Sequence, residues 1–291
     1  MLAVEIACLL AAGIVLSKVR RVVEAINSLL FYATIPLSLV VSTARLGDVS
    51  MFASALLVAS AHMLVTMAVA IAFTRLTGVE EGPVLVVLSS LPNSVFIALP
   101  LASAMLGDSM YALPHAVAFN LVLVLMLFYL SYSGSGRVRR ALILYSAALA
   151  FGFALNAAGA RSLAGRELET LSNLSSTANM LSFVVVGSSL SNLRKLSRRV
   201  ARGLAVVAAF RYAVSPILLW ASLATLGSGL ALGFVKGAWL QSVMPPAVTC
   251  LVLVKAAGMD EELAVASVAA LTPISVALAI YGVGTMPGTF G

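Results

Sequence analysis

The chain is a succession of apolar runs separated by short breaks that carry charge, glycine or proline. The runs fall at about 2–17, 22–44, 49–74, 83–106, 109–132, 141–159, 168–190, 203–226, 230–256 and 261–283. A helix needs about 20 apolar residues to cross a bilayer core, and most of these runs reach that length. The pattern predicts an all-α protein of about ten spans, with loops too short to hold a soluble domain.

Composition agrees. Hydrophobic residues make up 61% of the 291 and charged residues 10%, against about a quarter charged in soluble domains. So few charges cannot coat a water-facing surface, so lipid is the expected solvent. The net charge of +7 would suit nucleic acid, but the charges sit in the gaps between apolar runs, where membrane proteins put them. No nucleic-acid partner is expected. Cys8 and Cys250 both lie inside apolar runs, so they form no disulfide framework. The first run has no basic residue before it and Lys18, Arg20 and Arg21 after it. That order opposes a signal peptide and predicts a first span with its N-terminus outside.

Basic residues also orient the spans. Lys18–Arg21, Arg75, Arg137–Arg140, Arg194–Arg202 and Lys255 fall on one face of a ten-span layout, and only Arg45, Arg161 and Arg166 on the other. The bias predicts a multi-pass protein of the cell membrane with both termini outside.

The two halves of the chain echo one another. Leu37–Ser42 in span 2 parallels Leu181–Val186 in span 7, and the turns Leu106-Gly107-Asp108 and Gly258-Met259-Asp260 parallel each other. Each half also places proline in the middle of its fourth span: Pro92 within Ser89–Ser94, and Pro245-Pro246 within Gln241–Pro246. Proline removes a backbone donor and clashes with the preceding turn. Inside a bilayer such a break is tolerated only when buried in protein or lining a cavity. Half-helices whose N-terminal ends meet at the midplane favour an anion there. An odd number of helices per half forces the halves to insert with opposite orientation. Paired interruptions in an inverted repeat are a transporter signature.

Four motifs resemble the auxin efflux carrier family, which includes the plant PIN auxin exporters. They are Tyr32–Leu37, Pro92–Leu101, Met180–Leu190, and Met244–Ala247 followed by Asp260–Ala264. The resemblance spans nearly the whole chain. It implies two inverted five-helix repeats, with helices 4 and 9 broken and crossing. Residues 1–48 and 137–202 would form a scaffold (helices 1–2 and 6–7), homodimeric through its own helices. Residues 49–136 and 203–291 would form a moving transport domain (helices 3–5 and 8–10). Function by resemblance is elevator-type efflux of small organic anions, auxin-like carboxylates among them. The chain departs from the pattern in two places. Its loop between spans 5 and 6 is short, and Ser94-Val95 follow Asn93 where the family has glycine.

Asn93 matches the family's crossover asparagine, which contacts the substrate carboxylate, with Pro92 and Ser94 beside it. Across the second break Pro245 and Pro246, flanked by Gln241 and Thr249, complete the expected substrate site. Asn120, an amide inside span 5, needs a polar partner and could line the same cavity. His62 lies mid-span with a titration range near neutral pH, which makes it the proton-coupling candidate; His115, after Pro114, reads as interfacial. Lys236 and Arg211 are the in-span cations able to neutralise an anion, though both read as near enough to a helix end to snorkel.

The absences narrow the function. No carboxylate sits at the centre of a span, which weighs against a hard-oxygen sodium site. No phosphate loop, zinc motif or Ser-His-Asp arrangement is present, so neither a cofactor, a metal nor enzymatic activity is expected. The alternative is a bile-acid/sodium symporter-like protein, which shares the helix count and the crossing helices. A third reading, an intramembrane enzyme or receptor, needs catalytic polar pairs that the sequence does not offer.

Overall fold

The structure, a computed structural model, describes residues 2–44, 49–95, 97–107, 111–131, 136–159, 165–190 and 197–286. Helices account for every long element among them, and the one β-type pairing is an isolated bridge. In chain order they are α1 (Leu2–Leu16), α2 (20–44), α3 (Val49–Thr77), α4 (Gly82–Ser90), α5 (Ala98–Leu106), α6 (Leu113–Ser131) and α7 (Gly136–Ala157). Then follow α8 (Gly165–Met180), α9 (Ser182–Leu190), α10 (198–226), α11 (Leu232–Ser242), α12 (Val248–Ala256) and α13 (Glu261–Thr285). Every predicted apolar run is helical. Six of the helices, α2, α3, α6, α7, α10 and α13, are long and apolar enough to cross a membrane. The runs at 83–106 and 230–256 each yield two half-helices of nine to eleven residues.

Boundaries move for local reasons. The helix of the eighth predicted run, α10, starts at Arg198, five residues early, because the Ser197 side chain accepts from the Val200 N–H at 3.2 Å and caps it. That of the fifth, α6, starts at Leu113 with Pro114 in its first turn, where a missing N–H does no harm. Asp108, Arg45, Arg161, Arg194 and Lys195 lie outside the described residues, as does Phe96 of the fourth-span motif.

Two long helices contain a π-turn, and proline explains both. In α2 the turn covers Leu30–Thr34, and the Ile35 N–H donates to the Leu30 carbonyl. In α10 it covers Phe210–Val214, and the Ser215 N–H donates to the Phe210 carbonyl. Pro36 and Pro216 follow one residue later. A proline clashes with the carbonyl four residues back, and widening the turn moves that carbonyl aside without ending the helix.

The described chain divides into two compact units. The first comprises 1–51, 124–195 and 251–265, and the second 52–123, 196–250 and 266–291. In the first, α1 packs on α9 and α2 on α7. The α1–α9 approach is so close that a Cβ on Gly13 would strike the Val184 carbonyl, and one on Gly187 the Leu10 carbonyl. Small residues permit this backbone-to-backbone packing in place of a hydrophobic drive that lipid does not supply. The Tyr145 hydroxyl donates to the Phe31 carbonyl at 2.8 Å and the Asn156 amide to the Ala44 carbonyl at 3.2 Å. In the second unit, Ile97, Ala98, Ala102, Leu240, Val243 and Met244 form one buried cluster with Ala279 and Val283. That cluster packs directly on the two interrupted spans.

Candidate functional site

In the second unit the two interruptions face each other. Pro92 and Pro246 stand opposite as an antiparallel bridge. The Asn93 N–H donates to the Pro245 carbonyl at 2.8 Å, and the Ala247 N–H to the Leu91 carbonyl at 2.8 Å. The exchange is reciprocal: in each strand the residue after the proline donates, and in each the residue before it accepts. Proline has no N–H of its own, so this register satisfies the neighbours while asking nothing of Pro92 or Pro246. It satisfies backbone groups that would be expensive to leave unpaired in an apolar setting. Glycine ends both second half-helices in the left-handed region, Gly107 at φ 79° and Gly258 at φ 69°.

Each interruption exposes two helix ends. The first half-helices, α4 and α11, end in carbonyls that carry partial negative charge; the second, α5 and α12, begin with N–H groups that carry partial positive charge. Arg211, 1% exposed, answers the carbonyl ends. Its Nε donates to the Met244 carbonyl at 2.7 Å and its Nη1 to the Ser89 carbonyl at 3.1 Å. Its Nη2 donates to the Ser242 carbonyl at 3.1 Å and the Gln241 carbonyl at 3.4 Å. One guanidinium thus clamps the C-terminal ends of both first half-helices. The planar fork of arginine suits this multiple capping, as a lysine ammonium would not. No buried Asp or Glu is present among the described residues, so the N-terminal ends of α5 and α12 keep their positive character. The local field favours an anion.

Arg211 therefore sits in the middle of α10, at its π-turn, and does not snorkel to a helix end as its sequence position suggested. Four hydrogen bonds to carbonyls engage its Nε, Nη1 and Nη2, so it shapes the field indirectly. Lys236 is partly buried on α11.

Behind the clamp lies a chain of polar groups. His62 on α3 approaches His115 on α6, Nδ1 to Nε2, at 3.3 Å. The His62 Nε2 reaches the Ser215 carbonyl at 3.0 Å and its Oγ at 3.1 Å. Ser215 Oγ donates to the Ser242 carbonyl at 2.9 Å. A carbonyl only accepts, so in a neutral pair that uses every contact His62 donates from Nε2 and its Nδ1 accepts from His115 Nε2. His115, read from sequence as interfacial, is 2% exposed and is an inner member of this chain. It and Ser215 are what sequence reasoning missed. The one available signal was that both histidines fall on apolar helices, where a polar ring needs a partner.

Gln241 crosses to the other break. Its Nε2 donates to the Ser94 carbonyl at 3.1 Å and to the Ala112 carbonyl at 3.1 Å. Both amide hydrogens are thereby used, and Oε1 is left as a buried acceptor with no partner among the described residues; the hydroxyls of Ser90 and Ser94 are buried likewise. Asn93 is buried at the bridge and Thr249 in the first turn of α12. The structure thus brings Pro92, Asn93, Ser94, Gln241, Pro245 and Pro246 together, with Arg211 and His62 one layer behind. Asn120 is buried on α6. Among the described residues no His, Cys, Asp and Glu group could hold a metal ion.

The fold defines a class: a helical protein, over its described residues, with several helices apolar enough to span a membrane. No protein-family model matches the chain, and no curated protein matches it.

Proposed function

We propose that the protein is a secondary transporter of small organic anions in the cell membrane, with auxin-like carboxylates as the substrates the sequence resemblance implies. One observation carries this reading. Two spans break at proline and are tied at the breaks by reciprocal backbone hydrogen bonds, while a buried guanidinium neutralises only their carbonyl ends. Positive helix ends without a carboxylate beside them suit a carboxylate or similar anion. The paired breaks and the glycine that ends each second half-helix support two inverted five-helix repeats. The division of the chain into two compact units supports a scaffold and a moving transport unit, hence elevator-type alternating access. A homodimer through scaffold helices, and termini outside, complete the reading.

Gln241 Oε1, an oxygen acceptor with no partner among the described residues, is the observation that favours the sodium-coupled alternative. Thermal unfolding in detergent separates the two. Benzoate or indole-3-acetate at about 100 times its Kd should raise stability by about 2.7 kcal/mol without sodium, and Asn93→Ala should abolish the response. Stabilisation that requires sodium selects the alternative. No stabilisation by any carboxylate, or an undiminished response in Asn93→Ala, ends the anion-transporter reading.

A further inference from the structure

We propose that the His62–His115 pair is a proton site that fills only together with the anion, so that the protein moves a proton and an anion as one load. The inference rests on the anion site proposed above and names its coupling ion.

The pair is built as a single unit. The rings lie 5.4 Å apart at 60°, and both are almost fully buried. One neutral arrangement satisfies every contact: His115 Nε2–H to His62 Nδ1, His62 Nε2–H to Ser215, Ser215 Oγ–H to the Ser242 carbonyl. Every donor in the chain points the same way, toward the end of α11. The neutral pair therefore uses its protons without strain, and a further proton has to enter as net charge.

The charged neighbour is Arg211 on α10, which shares the Ser242 carbonyl with Ser215. Tyr212, next along α10, bonds the Leu271 carbonyl and Ser275 Oγ, and the Cys250 thiol on α12 donates to the Val87 and Leu91 carbonyls. From α3, α6 and α11 the other described buried polar residues in this unit are Thr66, Thr74, Asn120, Gln241 and Ser242. None of these is a carboxylate. A second positive charge beside the guanidinium would have no counterion, and a buried like-charge pair of that kind is strongly disfavoured. An anion seated at the break supplies the missing negative charge. The link is short: Ser242 is the last residue of α11, next to Gln241 and the bridge. By reciprocity, whatever the anion does for the proton the proton does for the anion. Empty, the site holds neither; loaded, it holds both, and the load carries no net charge through the apolar core.

The test is calorimetry of benzoate binding to the full chain in detergent, in buffers of differing ionisation enthalpy. Near neutral pH the probe stays ionised, since its carboxyl titrates near pH 4, so any proton taken up enters the protein. The expected result is about one proton per benzoate, with affinity improving about tenfold for each unit fall in pH over the neutral range. His62→Gln and His115→Gln, which keep a donor and an acceptor at each site, should bind with uptake near zero and a flat pH profile. Binding without uptake in the natural chain overturns the inference and leaves the anion reading standing; that measurement decides even if the variants do not fold. Uptake that persists in both folded variants also overturns it. Failure of benzoate, indole-3-acetate and every other carboxylate tried to bind at all overturns the anion reading, and the coupling with it.

Discussion

The two units bury polar groups in opposite ways. In the first, buried hydroxyls such as these close on their own helix: Thr34 on the Leu29 carbonyl, Thr43 on Leu39, Ser175 on Ser172. Between its helices, Tyr145 and Asn156 make neutral contacts to carbonyls. The second has own-helix hydroxyls too, Thr66 and Ser222 among them. To these it adds a guanidinium bonded to two half-helices, a histidine pair and an amide that bridges two segments. A hydroxyl that returns to its own helix makes little demand on tertiary structure. A network across elements does demand it, since each member left unpaired is costly in a low-dielectric interior. The first unit is thus built as packing, by glycine seams and apolar surface, and the second as a polar frame around two breaks.

The largest effect that could break this contrast lies at Arg211. Replacing it by methionine removes the donors that meet the Met244, Ser89, Ser242 and Gln241 carbonyls. Buried acceptors stripped of a charged partner each lose about 1.5 kcal/mol or more, and the repulsion of two facing helix ends adds to it. Arg211→Met should lower the unfolding midpoint in detergent by about 10 °C or more, and Arg211→Lys should recover only part. A midpoint unchanged by Arg211→Met would mean that the second unit does not depend on its frame.

How much of this was legible in the chain follows from what each feature needs. The apolar runs and the mid-span prolines are local, so the helices and both breaks could be read directly. That the two breaks meet could be expected from the family resemblance, which implies that helices 4 and 9 cross; the Pro92–Pro246 register could not, because it is set by backbone donors that leave no trace in side-chain pattern. Arg211 was seen as an in-span cation, but its role was not visible. Its position in the middle of α10 depends on a helix start set by Ser197, and its partners are backbone carbonyls, which leave no mark in side-chain pattern. His115 was misread for a similar reason. Pro114 marks a helix start, and a helix start near a proline reads as an interface unless the ring opposite is known.

Of intermediate size is Tyr145→Phe, the strongest challenge to the first unit from within. It deletes one neutral bond to the Phe31 carbonyl and leaves the ring packed near Phe31, 5.7 Å between centroids. About 1 kcal/mol is expected, or roughly 2–4 °C in a melt. A loss as large as that of Arg211→Met would show that a polar contact frames this unit as well, and the contrast would fall.

The smallest effect, that of Ser175→Ala, gives the sharpest form of the comparison when set beside Ser215→Ala, because the same atom is removed in both places. Ser175→Ala and Ser215→Ala each delete one buried hydroxyl. Ser175 Oγ donates only to Ser172, three residues back, and alanine is the better helix former by up to about 0.7 kcal/mol. Its loss should leave the midpoint within about 1 °C or raise it slightly. Ser215 Oγ donates to the Ser242 carbonyl and accepts from His62, so its loss takes a donor from the end of α11. His62 keeps the Ser215 carbonyl and the Ser242 carbonyl keeps Arg211, which holds the cost to about 1 kcal/mol. The paired melts should therefore separate by roughly 2–4 °C, with Ser215→Ala the lower. Equal midpoints would show that burial alone, and not the element a hydroxyl reaches, sets what it contributes.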